Sequence, residues 1–248
     1  VKTTHLFWAV FAGAASAALA APSAPSASPA ADFAPCRVIK HAEAVYPARA
    51  LAAGVTRGEA SIVLEIDPAG QVLDRLVTAY THPEFAREAE RTVAQWTYVP
   101  GNYQGQPVVC VLTVTFEFSV NGVLAIQKWC DPAQPSDAYI GGTFAYFAHG
   151  AGTLDRVPVP VRAPAPPYLP EWASEGRRGK VTVRFFIDET GRARFPTIAA
   201  EPDSLLARAA VTAVKQWQFE PPRAKGQPVL AYAEQTFDFR PAPPANGS

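Results

Sequence analysis

Ser61-Ile62-Val63-Leu64-Glu65-Ile66-Asp67-Pro68-Ala69-Gly70 is the stretch on which the reading of this chain turns. Its residues up to Ile66 alternate as a β-strand does, and Asp67-Pro68-Ala69-Gly70 supplies tight-turn chemistry, with Gly70 free to take positive φ. The same grammar returns in Val181-Thr182-Val183-Arg184-Phe185-Phe186-Ile187 followed by Asp188-Glu189-Thr190-Gly191. A shift of 121 residues aligns the two regions without a gap. Gly58 falls on Gly179, Ile66-Asp67 on Ile187-Asp188, Gly70 on Gly191, Ala86 and Ala89 on Ala207 and Ala210, and Val93 on Val214. Gln95-Trp96 falls on Gln216-Trp217, Pro100 on Pro221, Gly105-Gln106-Pro107-Val108 on Gly226-Gln227-Pro228-Val229, and Phe116 and Phe118 on Phe237 and Phe239. Matches of bulky, Gly and Pro residues in one register mark two homologous copies.

Working outward, a second strand succeeds each turn, over 72–78 and 193–199, and closes an antiparallel hairpin. An amphipathic helix comes next, from Pro83 or Glu84 to Trp96, burying Phe85, Ala89, Val93 and Trp96. Its counterpart buries Leu206, Ala210, Val214 and Trp217, with Ser204 as candidate N-cap. Pro100 and Pro221 lie past the helices, and a Gly-Gln-Pro turn leads to a last strand over 108–118 and 229–239. The order strand, strand, helix, strand gives a sheet ordered two-one-three, with strand three on an edge. The expected class is α+β: two tandem two-layer ββαβ domains, each a three-stranded antiparallel sheet with one packed helix. Cores this small lean on Trp96 and Val93 in one copy and on Trp217 and Val214 in the other.

The 25 prolines suit turns and strand ends rather than long helices, and a net charge of zero gives nucleic acid no electrostatic footing. Residues 1–20 read as a signal peptide: Lys2, an apolar run from Leu6, then Ala18-Leu19-Ala20 as a small-x-small cleavage pattern. That places the protein in the periplasm, or, if the leader stays uncleaved, anchored in the inner membrane and facing the periplasm. Residues 21–44 are an Ala/Pro/Ser-rich linker and lead-in segment, 45–120 the first domain, 121–165 an inter-domain segment, 166–240 the second domain and 241–248 a disordered tail. Within the inter-domain segment, 139–147 is too apolar for a pure linker: it packs on the first domain, adds a strand, or bridges the two. Residues 157–167 are Pro-rich and extended. An oxidising compartment permits one disulfide, Cys110 with Cys36 or Cys130.

Little points to catalysis. His5, His41, His82 and His149 are scattered without metal-ligand spacing, so no metal and no cofactor is expected. No Gly-x-Ser-x-Gly elbow occurs. Asp67 and Asp188 recur, but Asp ahead of Gly is ordinary turn chemistry. Gly176-Arg177-Arg178-Gly179-Lys180 precedes a strand rather than a helix and reads as a solvated basic turn, not a phosphate loop.

The ensemble Tyr46-Pro47, Gly58, strand-Asp-x-x-Gly, Ala-x-x-Ala-x-x-x-x-x-Gln-Trp, Pro, Gly-Gln-Pro-Val and Phe-x-Phe resembles the TonB C-terminal domain, over about 45–118 and again over about 166–240. The second copy has Tyr168-Leu169-Pro170 in place of Tyr-Pro. The resemblance implies a non-enzymatic periplasmic adaptor for a protein or peptide partner in the cell envelope. In that family the domain links the inner-membrane proton-motive force to outer-membrane transporters by adding a transporter peptide as a strand to its sheet edge. Strand three is the candidate edge: Val109, Val111, Thr113 and Thr115 in copy one, flanked by Tyr46 and Pro47, and Leu230, Tyr232 and Glu234 in copy two. The chain departs from an energy transducer in having two domains, in placing His5 ahead of the apolar run, and in a linker over 22–35 that reaches only roughly 45 Å. The alternative function is a cell-envelope scaffold or peptidoglycan-associated binding protein without energy transduction.

Overall fold

The computed structural model describes residues 33–129, 143–200 and 204–241. The leader, most of the linker, Cys130, the front of the 139–147 stretch and nearly all of the tail lie outside the described residues.

Two short strands, Phe33–Ala34 (β1) and Arg37–Lys40 (β2), open the first copy, and a one-turn helix, Ala48–Ala52 (α1), comes after them. The hairpin expected from the opening stretch is Arg57–Ile66 (β3) with Val72–Tyr80 (β4). Asp67 builds its turn by accepting the backbone N–H groups of Ala69 and Gln71 on one oxygen, each at 2.8 Å. Gly70 sits at φ 80°. A Cβ there would stand 2.5 Å from the Tyr98 carbonyl oxygen, so both the backbone angle and the space call for glycine.

The helix over Pro83–Val93 (α2) starts with proline at its first position and His82 Nδ1 accepting the Glu84 N–H at 3.3 Å. It ends three residues short of the predicted Trp96. The chain tightens into three-residue hydrogen bonds, Gln95 N–H to the Thr92 carbonyl and Trp96 N–H to the Val93 carbonyl, so Trp96 enters the core from the turn and not from the helix. It is buried all the same, and its indole N–H donates to the Ala42 carbonyl at 2.9 Å. Three short strands come next: Thr97–Val99 (β5), paired with β2, then Gly101–Tyr103 (β6) and Gln106–Val108 (β7). The Gly-Gln-Pro turn is thus a small hairpin, closed by Gln104 and Gly105 at φ 50° and 80°.

The long last strand, Cys110–Ser119 (β8), pairs with β3 along ten positions. Here the expected layout fails. A further strand, Gly122–Trp129 (β9), turns back and pairs with β8 from Ser119 to Leu112. Tyr146–Phe147 (β10) adds to the far side of β4, so the sheet runs β10-β4-β3-β8-β9: five strands, with β8 interior rather than on the edge. Helix α2 covers one face, where Phe85 stacks on Phe118 with ring centroids 4.5 Å apart. Cys36 and Cys110 form a disulfide that ties the lead-in segment to β8.

In the second copy, after a 3-10 turn at Ala151–Thr153, Pro160–Arg162 (β11) lies within the Pro-rich stretch, and Pro170–Ser174 (α3) matches α1 in place. The hairpin is Gly179–Ile187 (β12) with Ala193–Ala200 (β13), the helix is Ser204–Val214 (α4), and Gln218–Phe219 (β14), Arg223–Ala224 (β15) and Gln227–Pro228 (β16) precede the last strand, Ala231–Phe239 (β17). This sheet runs β13-β12-β17 and is antiparallel throughout. The side chain of Ser204, the expected cap of α4, lies outside the described ones. The copies agree in detail. Strand β11 pairs β14 as β2 pairs β5, and the Trp217 indole N–H reaches the Pro164 carbonyl at 2.9 Å, as Trp96 reaches Ala42.

The inter-domain segment does all three things allowed to it. It adds β9 and β10 to the first sheet. It then carries His149 to the second, where the His149 N–H donates to the Leu230 carbonyl and the Tyr232 N–H to the His149 carbonyl, at 2.8 and 2.9 Å. The faces away from the helices meet in an inter-domain core of Val63, Ala148, Phe186, Phe195 and Leu230, separate from the core of either copy. Ion pairs lock it. Arg194 of β13 reaches both oxygens of Asp74 on β4, at 2.8 and 2.5 Å, and also Asp188 at 3.3 Å, while Lys215 pairs with Glu65.

Candidate functional site

Alternation along β8 decides what its side chains can do. Leu112, Val114, Phe116 and Phe118 point under the helix and are buried. Val111, Thr113 and Thr115 point to the other face. Val111 packs on the inter-domain core, Thr115 Oγ1 lies 2.9 Å from Ser61 Oγ, and Thr113 Oγ1 is buried without a hydrogen-bond partner. Val109 falls between β7 and β8. Thr113 and Thr115 do not sit on an open edge, because β9 occupies the outer side of β8 from Leu112 to Ser119; Val109 and Val111 lie ahead of that pairing, and Val109 is exposed.

Tyr46 and Pro47 are scaffold residues. Pro47 is the extended residue ahead of α1, and the Tyr46 hydroxyl donates to the Val55 carbonyl at 2.6 Å, closing the loop behind that helix. The Tyr46 ring meets Phe85 edge-on at 5.6 Å, and burial raises its pKa. The Tyr168 hydroxyl makes the matching hydrogen bond in copy two, donating to the Arg177 carbonyl at 2.5 Å, so the altered Tyr-Leu-Pro motif keeps that contact.

The three residues proposed in copy two separate. Leu230 is fully buried in the inter-domain core, and Tyr232 packs against it, its ring 6.3 Å from Phe186. Glu234 stands at the start of the free part of β17, with Arg184 Nε donating to it at 2.7 Å across the sheet. Beyond the His149 bridge at Ala231, β17 pairs with β12 on one side only among the described residues, so 233–239 presents an open row of backbone groups. The helix side of that row carries Gln235, Phe237 and Phe239, with Phe237 and Phe239 continuous with the Trp217 core. The other side carries Glu234, Thr236 and Asp238. Phe237 and Asp238 were not among the residues expected from sequence. The signal for them was present: Asn121-Gly122 and an alternating run come after Phe118, whereas the Arg240-Pro241-Ala242-Pro243-Pro244 sequence after Phe239 has neither that turn nor that alternation.

The titratable groups serve structure. Burial alone would raise the Asp188 carboxyl, but hydrogen bonds from Thr190, Arg192 and Arg194 outweigh it and hold the group below its ordinary value. His41 lies edge-on to Trp96, His82 caps α2, and His149 stacks on Phe147, its pKa lowered by burial. A cleft of about 590 Å³ opens between the first hairpin turn and the end of α2, lined by Gly70, Asp74, Arg75, Val93, Trp96 and Tyr98, with the Asp74 carboxylate held by Arg194. No set of three His, Cys, Asp or Glu side chains suited to a metal occurs among the described residues, and no helix among them is long and apolar enough to cross a membrane.

The sequence model for the Gram-negative bacterial TonB protein C-terminal family matches residues 42–120 and again 164–241, well over half of the chain. No curated protein gives a match.

Proposed function

Since the chain belongs to the Gram-negative bacterial TonB protein C-terminal family, in two tandem copies, we propose that it is an adaptor of the cell envelope that captures an extended protein segment on the free edge of β17. Domains of this family are non-enzymatic protein-interaction modules of the envelope. One observation carries the finer reading. Among the described residues, the last strand is covered by β9 in copy one and has no strand on its outer side from Ala233 to Phe239 in copy two. Copy one therefore acts as a scaffold and copy two as the reader. Edge addition takes its affinity from main-chain hydrogen bonds and its selectivity from the alternating side chains beside them.

The partner we propose is the short periplasmic peptide of a TonB-dependent outer-membrane transporter, reached by an exported, periplasmic protein. The test is a titration of the chain over 21–248 with such peptides, monitored through backbone amide shifts. Shifts clustered on 233–239 and absent from β8 are the expected result. Unchanged amides at millimolar peptide would remove transporter capture and leave an envelope scaffold.

A further inference from the structure

The duplication contains its own docked strand. The edge of β8 that β9 occupies is, 121 residues on, the edge of β17 that stays open among the described residues. Strand β9 runs antiparallel to β8, with Val123 opposite Phe118, Ala125 opposite Phe116 and Gln127 opposite Val114. Val123 and Ala125 pack against the first core, so the added strand extends that core by one row. Carried to copy two, these positions fall opposite Phe239, Phe237 and Gln235. The same three-row geometry is available there, because Phe237 and Phe239 join the second core as Phe116 and Phe118 join the first.

On the other face the edges differ in charge at one position, where Thr113 of copy one is Glu234 in copy two, while Glu117 and Asp238 are both acidic. In copy one Leu124 lies opposite Glu117, Ile126 opposite Thr115 and Lys128 opposite Thr113. In copy two the edge presents Asp238, Thr236 and Glu234. Behind them on β12, in register, lie Lys180, Thr182 and Arg184. Each carboxylate thus has a cation across from it on the inner side, and Arg240 also pairs with Asp238 along its own strand. Directly opposed unlike charges favour a strand pair and like charges oppose it, so the outer position beside each carboxylate selects a cation over an anion.

We infer that the free edge of β17 takes an antiparallel partner strand with a basic residue opposite Asp238, another opposite Glu234, and small or β-branched apolar residues opposite Phe239 and Phe237. The occupant is a basic, alternating, extended protein segment. This rests on the edge-capture reading and adds direction, spacing and charge to it.

The probe is a synthetic peptide copying 122–129 with Leu124→Lys, which sets lysines opposite Asp238 and Glu234. Its control carries Leu124→Glu and Lys128→Glu. Both are titrated into the chain over 21–248, with amide shifts on β17 as the readout, and the basic peptide is repeated with a spin label at its N-terminus. The expected result is about tenfold tighter binding of the basic peptide at low salt, narrowing as salt is raised, with the label broadening Phe239 before Ala233. In the Glu234→Gln, Asp238→Asn double variant, which leaves Lys180, Arg184 and Arg240 without these carboxylates, the preference for the basic peptide is expected to be lost or reversed. Equal binding of the two peptides to the unaltered chain, or a label that broadens Ala233 first, overturns the proposed partner while leaving edge capture standing. No shift on β17 with these peptides or with transporter peptides overturns edge capture itself and the inference with it.

Discussion

At the scale of single residues, the two copies are held by matched polar contacts set into apolar cores. The Tyr46 and Tyr168 hydroxyls each close the loop behind a one-turn helix by donating to a backbone carbonyl. Tyr168→Phe removes one such bond and keeps the ring. It is expected to cost about 1 kcal/mol in urea unfolding, and Tyr46→Phe a similar amount. An unchanged midpoint in both would show that the loops are closed by packing alone. Asp188 yields a pH prediction. Its carboxyl titrates lower in the folded chain than the roughly 3.9 of an unfolded aspartate, so its contribution to stability is complete above that value and drains away as pH falls through the folded pKa. Asp188→Asn keeps an oxygen to accept the turn N–H groups but cannot titrate. Its stability is expected to fall less steeply below about pH 4 than that of the unaltered chain. Parallel acid limbs would assign the slope to other carboxylates.

At the scale of elements, the contrast that matters is β9. Both last strands have the same alternation and both end in Phe-x-Phe, so the motif alone places both on an edge. The residues beyond the motif separate them: a turn and a second alternating run in one copy, an Arg-Pro-Ala-Pro-Pro tail in the other. The hairpins, the helices and the buried tryptophans were legible because each is a local pattern with a period and a turn residue. The site was legible only in part. Whether an edge is open depends on the element that packs beside it, and Leu230 and Val111 read as edge residues until the second sheet is seen to bury the face they belong to. The disulfide is the other device at this scale. Cys36 and Cys110 are 74 residues apart, so removing the cross-link with Cys36→Ser is expected to cost about 4 kcal/mol on the loop-entropy account. Guanidinium unfolding, with and without reductant, reads it. A reductant effect as large in the variant as in the unaltered protein would show that this bond is not the source.

At the scale of the whole molecule, the described copies are one packed body rather than beads on a linker. Leu230, Phe186 and Phe195 from the second copy share a core with Val63 from the first, and Arg194 reaches across to Asp74. Unfolding is therefore expected to be a single cooperative transition, and Leu230→Asp, which puts a charge where no exposed surface remains, to split it into two. A single unchanged transition in that variant would mean that the shared core contributes little. The joint also explains how a closed copy can serve an open one: it fixes β17 against a rigid partner and leaves 233–239 facing outward. Amide hydrogen exchange tests that asymmetry most directly, strand against strand in the free protein. Protection at every position of β8 from Leu112 to Ser119, with alternate amides of β17 between Ala233 and Phe239 exchanging freely, is the predicted pattern. Equal protection of the two strands would contradict it.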